Sequence, residues 1–201
     1  MKKRIITIGR QYGCGGVEIG KQLAEDLNIP FYDKEILKLV ADKNGIRESY
    51  FYLADERVEK GLLERLVKNL SNSKKHAGRD LTDEHLFELQ SEVIRGLAEE
   101  ESCIIVGRLA DYVLRDREDV LSVFIHASEE TRVKHLVECH NLEEEEAKRL
   151  IKKRDKERED YCTHYSGRVW ADARNYTICV DSGVLGEAKS MEVIRDIFCA
   201  E

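Results

Sequence analysis

Gly9-Arg10-Gln11-Tyr12-Gly13-Cys14-Gly15-Gly16 stands between an apolar run, Arg4-Ile5-Ile6-Thr7-Ile8, and a helical pattern carrying Val17, Ile19, Leu23, Ala24 and Leu27. Strand, glycine-rich turn and helix, in that order, aim backbone N–H groups and the positive end of a helix at a phosphate. Glycine suits such a turn because a Cβ would block close approach and forbid positive φ. The stretch departs from G-x-x-x-x-G-K-[ST], which requires a lysine and a hydroxyl after its last glycine. Here Gly15 is followed by Gly16, Val17 and Glu18. The cradle is present and its usual cation is missing.

Working outward, four further apolar runs read as strands: Ile29–Tyr32, Cys103–Val106, Leu121–Ile125 and Tyr176–Val180. Helical patterns too long for hairpins separate them, which predicts an α/β fold: a five-stranded, mainly parallel sheet with helices on both faces. Asp33 can cap a helix carrying Ile36, Leu37, Leu39 and Val40, ended by Asn44-Gly45, and a second helical region runs from about residue 48 to 70. Residues 71–80 are polar and aperiodic, as in a surface loop. From Thr82, the residues Leu86, Leu89, Val93, Ile94 and Leu97 form a helical stripe. Ser128 starts another helix, Asn141 a long charged one, and Glu187–Phe198 the last. In such a sheet ligands bind at the carboxyl ends of the strands. The glycine turn, Asp33, Gly107-Arg108 and Asp181-Ser182 all fall there.

The chain has 201 residues, one proline and no linker-like stretch, so one domain over 1–201 is expected. A net charge of −7 argues against nonspecific binding to nucleic acid or an anionic membrane, yet permits a local basic pocket. No apolar run approaches membrane-spanning length, and Met1-Lys2-Lys3-Arg4 leads into a strand rather than a signal-peptide core. A cytoplasmic location is therefore expected. The six cysteines contain no C-x-x-C pair, so neither a zinc knuckle nor a disulfide framework is indicated. Cys103 and Cys179 read as small core hydrophobes. Cys14 would sit beside a helix N-terminus, which stabilises a thiolate; a small residue tolerated in a tight loop is the plainer reading.

Two segments carry further chemistry. In Val106-Gly107-Arg108-Leu109-Ala110-Asp111, the Arg108 guanidinium can hold a phosphate or sugar oxygen bidentately, and Asp111 can orient it; an ordinary surface ion pair is the competing reading. In Arg154-Asp155-Lys156-Glu157-Arg158, the two arginines share one helical face and can converge on one anion, with Asp155 positioning one of them. A solvated helix laced with ion pairs is the competing reading there. Beyond it, Tyr161 to Trp170 breaks the helix at Gly167 and adds Arg168 amid aromatics. His126, His135 and His140 carry no metal or nucleophile spacing and read as structural.

Taken together, Ile8 to Gly16, Phe31-Tyr32-Asp33-Lys34-Glu35, Val106 to Tyr112 and Arg154 to Arg158 resemble the cytidylate-kinase-like proteins, relatives of cytidylate kinase among the P-loop nucleoside monophosphate kinases. The resemblance covers nearly the whole chain, in order. It implies a P-loop kinase fold with a helical monophosphate-binding insert at about 47–100 and a helical lid at about 141–172. It further implies ATP-dependent phosphoryl transfer to a nucleoside monophosphate, CMP or dCMP first, with ATP and Mg2+ as cofactors and small-molecule nucleotides as partners. A homo-oligomer is left open. Gly9, Gln11, Tyr12, Gly13, Cys14, Gly15 and Gly16 would wrap the ATP phosphates. Asp33, Asp111, Asp155 and Arg168 would lie on the substrate side, and Arg108, Arg154 and Arg158 would serve catalysis.

The departure at the loop is the loss of the phosphate-bridging lysine and of the magnesium-binding hydroxyl. Arg10 is the natural substitute for the lysine, with Lys21 a poorer one. The metal ligands stay unassigned among Asp33, Glu18 and Asp111. A nucleotide-binding regulator without phosphoryl transfer is the alternative, and a kinase for another small acceptor is a third reading.

Overall fold

The computed structural model describes residues 4–33 and 83–200. The helices expected between Asp33 and residue 70, and the loop at 71–80, lie outside the described residues.

The central strand β1 (Ile5–Arg10) is buried on both faces, Ile5, Ile6, Thr7 and Ile8 being almost wholly sequestered. A continuous β-branched run of this kind suits a strand covered on both sides. It leads into α1 (Gly16–Leu27), and β2 (Phe31–Tyr32) follows. The next described elements are α2 (Asp83–Glu100), β3 (Cys103–Val106), the short α3 (Ala110–Val113) and β4 (Val120–His126). Then come α4 (Glu129–His140), α5 (Glu144–Ser166), a 3-10 turn at Ala173–Asn175, β5 (Ile178–Asp181) and α6 (Ser182–Cys199). The five strands form one parallel sheet in the order β2-β3-β1-β4-β5.

Alternation along β1 divides the core. Ile5 packs with Cys103 and Ile105 against Val93, Ile94, Leu97 and Ala98 of α2. Ile6 and Ile8 pack with Ile104, Val106, Val123 and Ile125 against Ile19 and Leu23 of α1 and Ile194 of α6. Helices thus cover both faces, as the strand spacing predicts. The last third of the span expected as an insert is α2, whose buried residues Leu89, Val93, Ile94 and Leu97 pack on the sheet. A third cluster, Val133, Leu136, Ala147 and Ile151, joins α4 to α5 and receives Tyr12.

Several boundaries differ from expectation. Asn141 does not begin the charged helix; it closes α4 in the left-handed conformation (φ 53°), and α5 is capped by Glu143. Asparagine tolerates that conformation, which makes it a stop rather than a start. The last helix begins at Ser182, not Glu187, because Asp181 caps its first turn through the amides of Gly183 and Val184, and the axis breaks at Gly186 (φ 72°, ψ 166°). Gly167 does end α5, at φ 68°. Among the described residues no helix is long and apolar enough to cross a membrane.

The chain leaves β1 between β3 on one side and β4 on the other. The carboxyl end of β1 is therefore the switch point of the sheet, where a crevice opens in folds of this type. Residues 10–16 occupy it.

Candidate functional site

The first half of the loop is fastened down. The Gln11 amide donates to the Ile125 carbonyl (3.0 Å), and the Gln11 side chain accepts from the Ala127 amide (3.2 Å), which extends the β1–β4 seam by one residue. The Tyr12 amide donates to Oδ1 of Asp155 on α5 (2.8 Å). From below, the Ser182 hydroxyl donates to the carbonyls of Cys14 (2.7 Å) and His126 (3.1 Å). The second half is open. Gly13 and Gly15 take positive φ (80° and 74°), Gly15 caps α1, and the helix's first backbone bond runs from Ile19 to Gly15. Gly16, Val17 and Glu18 therefore carry the amides of a first helical turn, which have no partner within the helix and form a ready anion site.

Arg10 stands beside Gly16, the position at which the usual motif carries its lysine. A Cβ on Gly16 would lie 2.9 Å from the Arg10 Cβ and 3.3 Å from its Cγ. The stem of Arg10 fills the space that a side chain at 16 would need. Its guanidinium then crosses beneath the ends of β1 and β3: a Cβ on Gly107 would run into it, and Nη2 lies 3.4 Å from Asp33. Burial lowers the Arg10 pKa, with Asp33 opposing, and its Nε is buried without a partner among the described residues. Lys21 is exposed at the edge of the same cleft.

Arg158 and Arg108 close around Arg10. Arg158 donates to the Arg10 carbonyl (2.9 Å), and burial, with Arg10 adding repulsion, lowers its pKa to about 10 against the pull of Asp155. Gly107, Arg108 and Leu109 are left-handed in succession (φ 73°, 58° and 54°). Two non-glycine residues in that region store strain at a strand end. Gln90 of α2 holds the turn by donating to the Arg108 carbonyl (3.1 Å) and to the Tyr161 hydroxyl (3.0 Å). Burial lowers the Arg108 pKa and raises that of Asp111, although Arg168 stands 3.7 Å from Asp111. Arg168 also lies over the Tyr112 ring, 5.0 Å from its centre.

Two clefts result. One, of about 540 Å³, runs along the glycine loop from Asp33 and Glu18 to His135 and His140. The other, of about 420 Å³, is lined by Arg108, Asp111, Arg154, Tyr161, Trp170 and Tyr176. Arg10, Tyr12 and Arg158 line both. Around this junction four guanidinium groups, those of Arg10, Arg108, Arg132 and Arg158, face the carboxylates of Asp33 and Asp155. Among the described residues, Glu18 and Asp111 add carboxylates to the cleft walls, and Arg168 adds a guanidinium beside Asp111.

The sequence-predicted residues therefore separate. Arg10, Arg108, Arg158 and Asp33 converge, with Asp111 and Arg168 at the rim of the second cleft. Arg154 is half-exposed and paired with Glu157 (2.9 Å) on the outer part of that rim. Asp155 is engaged by protein groups. Three contributors escaped sequence reading: Arg132, Gln90 and Glu187, whose carboxylate lies against Gly15 and 3.6 Å from the His135 Nε2. Each arrives through helix packing, and no local pattern marks it.

Cys14 is buried, and its thiol donates to the Ile125 carbonyl (3.4 Å). Burial pushes its pKa up to about 11, outweighing the Gly16 amide and the nearby arginines. Cys179 is exposed rather than in the core, because β5 is an edge strand and Val180 takes the inward position. Alkylation with iodoacetamide at pH 8 is expected to label Cys139, Cys179 and Cys199 and to spare Cys14, Cys103 and Cys162. Rapid labelling of Cys14, seen by peptide mass spectrometry, would contradict the buried thiol; its thiolate becomes abundant only as pH approaches 11.

Among the described residues no three His, Cys, Asp or Glu side chains form a metal-holding group. Asp33 and Glu18 line the loop cleft and offer the hard oxygen donors that magnesium takes when phosphates and water complete its shell. Asp111 stands in the other cleft beside Arg168.

The fold and its crevice define the architecture of the P-loop kinases. The gluconokinase of Sinorhizobium meliloti shares it (TM-score 0.55, 15% identity, 97% of this chain and 91% of that one covered). So does the shikimate kinase of Bacteroides thetaiotaomicron (TM-score 0.52, 15% identity, 96% and 97% covered). Within that architecture the chain belongs to the cytidylate kinase-like family, whose model matches residues 5–184. An uncharacterized protein from Eubacterium ventriosum is similar over 99% of this chain and 100% of its own, with 29% identity and a TM-score of 0.74. None of the curated proteins compared with the chain matches it.

Proposed function

We propose that the protein transfers the γ-phosphoryl group of ATP to a nucleoside monophosphate, with CMP or dCMP the first acceptors to test. The observation that carries this reading is the meeting of two clefts at Arg10, Tyr12 and Arg158, with the guanidinium groups of Arg10, Arg108 and Arg158 gathered there. The family gives the nucleotide class its support.

The amides of Gly13 to Glu18 hold the donor's phosphates, with Gly9, Gln11, Tyr12 and Cys14 shaping the loop. An acceptor phosphate oxygen attacks the γ-phosphorus, the bond to the β–γ bridging oxygen breaks, and ADP leaves. Arg10 and Arg158 lie beside the passing group and neutralise its oxygens; Arg108, with Asp111 and Arg168, holds the acceptor. Catalysis of this kind is positioning plus charge neutralisation in a site closed to water. Asp33 and Glu18 would hold Mg2+, which when bound supplies further neutralisation of the β- and γ-oxygens. Arg154, at the outer rim, joins from the lid side.

The test is ADP release from ATP in the presence of CMP, dCMP, UMP, AMP and GMP in turn, followed by a coupled assay. ADP formation that depends on CMP or dCMP is expected. Saturable ATP binding without acceptor-dependent ADP from any monophosphate would replace this reading with a nucleotide-binding regulator, which the lost lysine and hydroxyl favour. ADP formed only with another small hydroxyl or phosphate compound would keep the kinase and change its acceptor.

A further inference from the structure

Arg132 lines neither cleft and touches no group in the transfer proposed above, yet it is among the most buried charged side chains in the described structure, at 8% exposure. It stands on the first turn of α4. Its Nη1 donates to Oδ2 of Asp155 (2.6 Å) and to the Tyr12 carbonyl (3.2 Å), while Oδ1 of Asp155 accepts from the Tyr12 amide (2.8 Å). Both polar groups of the Tyr12 backbone are therefore held by one ion pair formed between two helices. One turn further along α5, Arg158 donates to the Arg10 carbonyl (2.9 Å). Asp155 and Arg158 lie on one face of that helix, 3.8 Å apart at their closest charged atoms. The register of α5 on the loop is set by these contacts.

We propose that Arg132 and Asp155 form a strut that positions the glycine loop and presents Arg158 to the phosphoryl group, and that Asp155 acts on the loop rather than on substrate. This rests on the phosphoryl-transfer reading of the site. A buried ion pair is a weak device for stability, since an apolar pair of similar volume serves as well. Its particular use here is directional: the two Asp155 oxygens and the two hydrogens of the Arg132 Nη1 nitrogen fix Tyr12 from both sides, which an apolar contact cannot do. The Nε of Arg132 is buried without a partner among the described residues, so the charge is kept at a cost. The amides of Gly13 to Glu18 lie outside the strut. Losing it therefore disturbs the alignment of Arg158 more than the hold on the donor.

The experiment compares Arg132→Lys, Arg132→Gln, Asp155→Asn and the Arg132→Gln/Asp155→Asn double variant, each in the full chain. The measurements are amide exchange at Tyr12 without ligand, ATP affinity by calorimetry, acceptor-dependent kcat and KM, and thermal stability. Asp155→Asn and Arg132→Gln are expected to lose about 100-fold in kcat, the scale set by a displacement of about 1 Å. ATP affinity is expected to stay within about threefold. Exchange at Tyr12 should quicken about tenfold, Arg132→Lys should keep most of the activity, and the double variant should be no worse than either single one, as for residues acting as a unit. Wild-type kcat in the folded single variants would overturn the strut, as would losses that add in the double variant and follow thermal stability. If the parent protein forms no ADP with any acceptor, the functional reading fails by itself. Tyr12 exchange and the double-variant comparison of stability still decide the strut: unchanged exchange refutes it, and quickened, non-additive exchange supports it.

Discussion

Replacing Arg10 with alanine is expected to lower acceptor-dependent kcat/KM by about 10³-fold, at the lower end of the range for an arginine that neutralises a transferring phosphoryl group. The size follows from position. Arg10 sends its side chain from the end of β1 through the space beside Gly16 and under the turn at Gly107, and it lines both clefts. Its removal takes a positive charge from the junction while the Asp33 carboxylate stays, so under the proposed function the field there turns against phosphate. Arg10→Lys keeps the charge without the planar fork, and an intermediate loss of about tenfold to a hundredfold is expected. Steady-state kinetics at saturating ATP, with circular dichroism to verify folding, check both variants. An Arg10→Ala protein with parental kcat/KM would remove this residue from the reaction and turn attention to Arg158 and Lys21, which line the same cleft.

The second large effect separates two arginines that sequence spacing treats alike. Arg158→Ala is expected to reduce kcat by about 10²- to 10³-fold, because Arg158 lines both clefts, is largely shielded from solvent and is anchored to the Arg10 carbonyl. Arg154→Ala is expected to cost less than about tenfold. Arg154 is half-exposed, and its pairing with Glu157 is of the kind that contributes little between solvated side chains. Equal losses at the two positions would mean that α5 rotates or bends in the working enzyme and carries Arg154 inward. Parental turnover of Arg158→Ala would exclude it from catalysis.

The frame of the molecule is legible in the sequence because each strand is a short apolar run ended by polar residues. Cys103–Val106 matches its expected bounds, and the other four strands are shifted by one or two residues at their ends. Where the reading slips, a single residue with two local uses is responsible. Asn141 both stops helices and precedes them, and Gly183 and Gly186 conceal the first turn of α6. Cys179 shows the limit of composition: an apolar strand at the sheet edge still turns alternate residues outward. At the site, residues delivered by strand ends are legible, since the sheet brings Arg10, Asp33 and Arg108 to one rim. Arg132, Gln90 and Glu187 are not, because they reach the loop through the packing of α4, α2 and α6. Spacing alone also could not tell Arg158 from Arg154, a distinction that depends on which face of α5 meets Tyr12.

The shared space of Gly16 and Arg10 constrains how loops of this kind can diverge. A chain with long side chains at both positions places two β-carbons under 3 Å apart, a contact that packing does not tolerate. Because the contact is between the β-carbons themselves, a lysine at 16 on this backbone needs glycine at 10 or a shift of the loop, whatever else stands at 10. A side chain at 16 beside a non-glycine residue at 10 is therefore expected only where the loop backbone follows another path.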